Sequence, residues 1–178
     1  MSPYMRTLAD LLTLVRILFS LVMVWIGWAL GAEGLSLAVA VLLLAWFTDL
    51  LDGMAARRAP ADSTSRIGTH DAEADLSVSL GVTGYLSFSD YLPPLIGLAL
   101  AALITAIWLG RSHVLAWPFY VIPYVILFWI AWRYEPAAGR MYLGYLAIIL
   151  FIRRKRFWSE HLPDFFTAIR NLRQHQDT

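Results

Sequence analysis

Two short segments of this 178-residue chain carry acids inside otherwise apolar sequence: Asp49-Leu-Leu-Asp52-Gly53-Met-Ala-Ala56-Arg57 and Gly68-Thr-His-Asp71-Ala-Glu-Ala-Asp75. At about 100° per residue, Asp49, Asp52, Gly53 and Ala56 share an arc of roughly 100° on one helix face. Gly68, Asp71 and Asp75 fall within about 60° on the next, whereas Glu73 points away. Helices joined by a short loop are usually neighbours, so the two acidic faces can meet. Four carboxylates facing one another repel unless a cation neutralises them. Oxygen donors without His or Cys favour a hard ion, Mg2+ or Mn2+, over zinc. Gly53, Ala56 and Gly68 withdraw side-chain bulk beside the acids, leaving room for a nucleotide and a metal-bound diphosphate. Arg57 adds a fork of donors suited to phosphate oxygens.

The elements that must position these residues belong in lipid. The chain is 59% hydrophobic and 15% charged, against about 45–50% and 25% for soluble domains. A crossing needs about 20 apolar residues at 1.5 Å each. Six candidates follow, at about 11–30, 36–55, 68–87, 91–109, 115–132 and 137–152, giving an all-α polytopic bundle in a single domain. The first is read as a retained helix rather than a cleaved signal, because no small-residue cleavage site follows it. Pro93-Pro94 suit a helix start. With the amino terminus cytoplasmic, Arg57, Arg58, Arg66, Arg111 and Arg153-Arg154-Lys155-Arg156 lie inside and only Arg133 and Arg140 outside, as the positive-inside rule requires. The carboxyl terminus is then cytoplasmic too. Phe165, Phe166, Ile169 and Leu172 have helical apolar spacing beside Arg170 and Arg173, which fits either an amphipathic helix on the inner surface or a partly ordered terminus. An Asp at the centre of a membrane helix costs about 2.5–3.5 kcal/mol, so four acids require a polar cavity. The absence of cysteine excludes disulfides and thiol chemistry, and a net charge of +1 argues against a nucleic-acid partner.

The pattern Asp-x2-Asp-Gly-x2-Ala-Arg, filled by Asp49, Asp52, Gly53, Ala56 and Arg57, resembles the first half of the CDP-alcohol phosphatidyltransferase signature. Five fixed positions match by chance about once in three million starts, so this half is specific. Gly68, Asp71 and Asp75 resemble the second half, with two departures: ten residues separate Arg57 from Gly68, more than the usual gap, and two rather than three separate Gly68 from Asp71. Since i+3 and i+4 return to the same helix face, Asp71 and Asp75 still point toward Asp49 and Asp52. Asp10-Leu-Leu-Thr13-Leu-Val-Arg16 is similar to the family's Asn-x2-Thr-x2-Arg, with Asp for Asn.

The resemblance implies a membrane enzyme moving a phosphatidyl group from CDP-diacylglycerol, or a related CDP-linked lipid, to a small alcohol at the cytoplasmic face in phospholipid biosynthesis. It implies two divalent ions held by Asp49, Asp52 and Asp71, with Asp75 near the second. Asp75 would be the base for the acceptor hydroxyl. Gly53, Ala56, Arg57, Gly68 and Thr13 would line the CDP-lipid site, and CMP would leave. The partners implied are the bilayer, these two substrates and, by resemblance, a second copy in a homodimer.

The acceptor is not named by the residues. Arg111, His113 and the cluster at Arg153 either bind an acceptor phosphate or set topology against anionic lipid. His70 falls off the acidic face. Trp25, Trp28, Trp117, Tyr120, Trp129, Trp132 and Tyr134 read as interface belts. Arg16 is either a substrate contact or a snorkelling residue. Two other classes share the acidic cluster: a non-catalytic homologue, and a small cation transporter or channel. Transporter acids tend to sit near the midplane on broken helices, whereas these lie at span ends beside an arginine and small residues.

Overall fold

The chain is described by a computed structural model covering residues 3–56, 67–109 and 113–156, with side chains at 11, 14–51, 74–106, 109 and 119–151. Helices α1 (Pro3–Leu30), α2 (Leu35–Ala56), α3 (Ile67–Phe88), α4 (Pro94–Leu109), α5 (His113–Tyr134) and α6 (Pro136–Arg156) follow in order, and no strand occurs among the described residues. The fold class is all-α, as expected. Each predicted span coincides with a helix. The first begins at Pro3 instead of residue 11, and the fourth at Pro94 instead of 91, because Pro94 lacks the N–H that a helix interior needs but a first turn does not.

A short 3-10 turn over Gly31–Gly34 connects α1 to α2, with Gly31 in the left-handed region at φ 57°. The α3–α4 turn places Asp90 there too, at φ 59°, a conformation Asp tolerates better than most residues. Pro93 then closes the new helix: its carbonyl accepts from Ile96 and Gly97 at 2.9 and 3.0 Å.

Within residues 1–139, α3 touches α1, α2, α4 and α5, and its pairing with α1 is the most extensive. Glycine makes that pairing close. A Cβ on Gly81 would lie 2.7 Å from Ser20 Cα, and one on Gly27 would lie 2.9 Å from Tyr85 Cα, so backbone meets backbone along the seam. Small residues at such contacts are how helices associate where lipid removes the hydrophobic drive.

The core of this unit is apolar, built from residues such as Met23, Ile26, Leu42, Val82 and Leu86, but its outer surface is apolar too and a few polar groups lie inside. Arg16, Ser20, Ser79, Thr83 and Ser89 are buried, while Leu14, Leu18, Leu21, Trp25, Trp28, Leu44, Phe47, Leu95, Leu98 and Trp129 are exposed. Three of these buried hydroxyls turn back on carbonyls one turn earlier: Ser20 donates to the Arg16 carbonyl, Thr83 to Ser79 and Ser89 to Tyr85, at 2.7–2.9 Å. That satisfies them without water. Residues from Arg140 onward form a separate unit in which α6 continues to Arg156, with Met141, Leu143, Ile148, Leu150 and Phe151 exposed.

Among the described residues one helical stretch, Leu14–Leu51, is long and apolar enough to cross a membrane by itself; it spans 38 residues of α1, the 3-10 turn and α2. Pro94–Ala106, Phe119–Tyr134 and Pro136–Phe151 are shorter apolar helices. Helix α3, whose described side chains include Asp75, Ser77, Ser79, Thr83 and Ser87, is in neither group.

Candidate functional site

Three helices bring charge to one place. Arg16 projects from α1, Asp49 from the last two turns of α2 and Asp75 from the third turn of α3. The same Arg16 Nη1 lies 3.2 Å from Asp49 Oδ1 and 3.6 Å from Asp75 Oδ1. Two carboxylates that are 26 residues apart in sequence, one from each acidic segment, therefore share a single guanidinium nitrogen, which bounds their oxygens at about 7 Å apart. The arginine is 1% exposed, whereas Asp49 is 34% and Asp75 62% exposed at the side chain. The cation is thus sealed in protein, and the acids face outward from it. A guanidinium is the cation suited to this position, because it stays charged and presents several donors in a fixed plane.

Arg16 departs from its reading as a snorkelling residue. It does not snorkel toward a boundary, since its side chain is buried among helices, and it faces carboxylates of its own chain. Tyr120 departs from its reading as a belt residue: Ser79 of α3 donates to its backbone carbonyl at 3.2 Å, and it lies close enough to Asp75 for that charge to act on its phenol. Trp25, Trp28, Trp129, Trp132 and Tyr134 are exposed, as an outer belt requires.

Asp52 stands on α2 one turn past Asp49, and Asp71 on α3 one turn before Asp75; their side chains, like those of Thr13, Ala56 and Arg153, lie outside the described residues. Gly53 and Gly68 are placed only by the backbones of α2 and α3. Arg57, Arg111 and the amphipathic tail fall wholly outside the described residues. Thr48 and Ser77 flank the described acids and spend their hydroxyls on the carbonyls of Ala45 and Ala74 at 2.7 and 2.8 Å.

Among the described residues no group of three or more His, Cys, Asp or Glu is disposed to hold a metal ion. The described pair nevertheless fits a divalent ion chemically. Both donors are carboxylate oxygens, the set that hard cations prefer. The exposed side of Asp75 gives a cation access to the carboxylates.

Fold and site together define a helical protein with an apolar outer surface, enclosing at the junction of three helices a charged cluster open on one side. The family model for CDP-alcohol phosphatidyltransferase matches residues 6–169, and the chain belongs to that family. Comparison with curated proteins and with solved structures gives no match. The family comprises membrane-associated transferases of substituted phosphate groups that act in phospholipid biosynthesis on CDP-linked alcohols, and its members generally use divalent metals.

Proposed function

We propose that the protein transfers a phosphatidyl group from CDP-diacylglycerol to a small alcohol, releasing CMP. The observation that carries this reading is the convergence of Asp49 and Asp75, one from each half of the signature, on the buried Arg16. Spacing within a helix puts acids on one face; only tertiary packing brings the two faces together. The shortened interval between Gly68 and Asp71 leaves Asp75 in contact with the α1–α2 charge cluster.

In this reading Asp49, Asp52, Asp71 and Asp75 hold two ions of Mg2+ or Mn2+. Bound there, such ions neutralise the diphosphate of the donor and the charge that develops on the departing CMP. The chain's own residues do the rest. Arg16 keeps Asp49 and Asp75 in register across two helices. Asp75, with its carboxylate anchored through Oδ1 and otherwise exposed, accepts the proton of the acceptor hydroxyl as that oxygen attacks phosphorus. Gly53, Ala56 and Gly68 leave space for the nucleotide, with Thr13 and Arg57 beside it. Arg111 and Arg153 are the cations available to an acceptor phosphate.

The large apolar side chains on the outer surface support a membrane setting, and six crossings in one domain are part of the same proposal. Helix α3 has the hydroxyl-rich composition of a segment shielded by α1, α2, α4 and α5, and a shielded helix does not need to meet lipid. The family match over residues 6–169 spans all six helices. The arginine distribution supports an orientation with both termini and the site on the cytoplasmic side. A homodimer is part of the same proposal and rests on resemblance alone.

The test is CMP release from CDP-diacylglycerol by purified protein with Mg2+ or Mn2+ and a panel of alcohols. Activity with one acceptor, lost in Asp75→Asn, is the expected result. Full activity in Asp75→Asn removes it as the base, and metal-dependent binding of the nucleotide-lipid without release supports a non-catalytic homologue instead.

A further inference from the structure

The wall of α5 beside Asp75 carries two phenols with different fates. Tyr124 donates to the Asp75 backbone carbonyl at 3.4 Å, and its ring meets Trp46 of α2 edge-on, with centroids 5.2 Å apart and planes at 80°. That residue is committed to joining α5 to α2 and α3. Tyr120, one turn earlier on α5, has its backbone fixed by the buried Ser79, one turn after Asp75 on α3. The Tyr120 hydroxyl oxygen is itself buried and has no hydrogen-bond partner among the described residues. Buried hydroxyls are almost always paired, so one left unpaired beside a charged site calls for a ligand that completes it.

The surroundings of Asp75 say which part of the ligand that is. Its Oδ1 lies 3.6 Å from Arg16 on the α1 side, yet the side chain is 62% exposed, so an incoming group reaches it from solvent. Tyr120 and Tyr124 stand on α5, a different helix from those that bear Arg16, Asp49 and Asp52. The acids and the arginine suit a metal-bound diphosphate. A neutral phenol with one O–H and two lone pairs suits a neutral alcohol.

We propose that the Tyr120 hydroxyl binds the acceptor alcohol and orients the hydroxyl that Asp75 deprotonates. The inference rests on the transferase reading given above. In the step, the acceptor O–H gives its proton to the Asp75 carboxylate while the acceptor oxygen takes a hydrogen bond from Tyr120 O–H. The new bond forms between that oxygen and the lipid-bearing phosphorus, and the bond from phosphorus to the CMP oxygen breaks. CMP leaves with the electron pair, and Tyr120 keeps its own proton throughout. Its contribution is geometric, because an acceptor fixed by one donated and one accepted hydrogen bond keeps a lone pair aimed at phosphorus.

Tyr120→Phe tests this with little structural cost, since it deletes only a hydroxyl that has no hydrogen-bond partner among the described residues. With the full chain in detergent, CDP-diacylglycerol, Mn2+ and the alcohol that the wild type accepts, kcat/KM for the alcohol falls about tenfold, the worth of one neutral hydrogen bond. The KM for CDP-diacylglycerol stays at the wild-type value, and the melting midpoint does not fall. Tyr124→Phe, which loosens a contact to the backbone, shows the opposite split: a lower melting midpoint and an unchanged KM for the alcohol. An active wild type with unaltered alcohol kinetics in Tyr120→Phe overturns the inference and leaves the transferase reading standing, as does an equal loss for donor and acceptor. A wild type that releases no CMP with any alcohol overturns the transferase reading and this inference with it.

Discussion

Replacing Arg16 by methionine keeps the length and apolar stem of the side chain and removes the one charge that two helices share. In the protein, Nη1 sits 3.2 and 3.6 Å from the two carboxylate oxygens. With charge centres about 4 Å apart and an effective dielectric constant of about 20, each attraction is worth about 4 kcal/mol before desolvation. The two acids, left at about 7 Å, would repel by about 2 kcal/mol. Against this stands the cost of burying a guanidinium, several kcal/mol, which the variant no longer bears. Asp75 is also exposed enough for water to screen much of its share. The balance predicts a loss of about 2 kcal/mol in metal-free buffer, a fall of roughly 4–8 °C in the melting midpoint for a chain of this size. Thermal unfolding in detergent, with EDTA and then with excess Mg2+ or Mn2+, measures it. The divalent ion should recover more stability in Arg16→Met than in the wild type, because it neutralises acids that the wild type already pairs. Identical midpoints in the two proteins under EDTA would refute the electrostatic role given to Arg16.

Asp49→Asn should weaken metal dependence directly, raising the Mn2+ concentration needed for half-maximal CMP release by tenfold or more on the order expected for a lost carboxylate ligand; an unchanged requirement would remove Asp49 from the metal set. Gly81→Val should force α1 from α3, since even a Cβ would meet Ser20 Cα at 2.7 Å, costing about 1–3 kcal/mol and folded yield. Gly144→Ala, where nothing lies within 4 Å of the added carbon, should leave yield unchanged in the same size-exclusion assay. Burial first, then the charge of Glu135, raises the Tyr91 phenol above its ordinary 10.0 in the α3–α4 turn. The stability tied to that proton is complete below pH 10 and declines above it, as the unfolded chain ionises first. Tyr91→Phe should therefore flatten the alkaline limb of a melting-versus-pH curve, and an equally steep limb would discount the phenol.

Helix positions were legible because each apolar run is bounded by residues with one local meaning. Gly31 and Gly34 end the first and begin the second, and Pro94 opens the fourth. The acidic faces were legible for the same reason, since a 3.6-residue period fixes which of Asp49, Asp52, Asp71 and Asp75 align. Arg16 was not. Its partners lie 33 and 59 positions away, and spacing along one helix carries no information about which face of another will meet it. Tyr120 escaped for a related reason: an aromatic near a span end looks the same whether it turns toward headgroups or toward a neighbouring helix. Helix α3 differs from the other spans in its share of hydroxyls, Ser77, Ser79, Thr83 and Ser87, a composition that suits a helix packed against four others.

That composition bears on how the protein is made. In the proposed membrane arrangement, a segment carrying Ser77, Ser79, Thr83, Gly81 and the acids Asp71 and Asp75 partitions poorly when it leaves the ribosome's insertion machinery alone. Its docking groove, built by Ser20, Val24 and Gly27 of α1, belongs to chain synthesised earlier. Biogenesis is thereby given a direction: α1 serves as an internal chaperone for the helix that bears the chemistry, and damage to the seam would surface first as failed insertion, before any reaction could be measured.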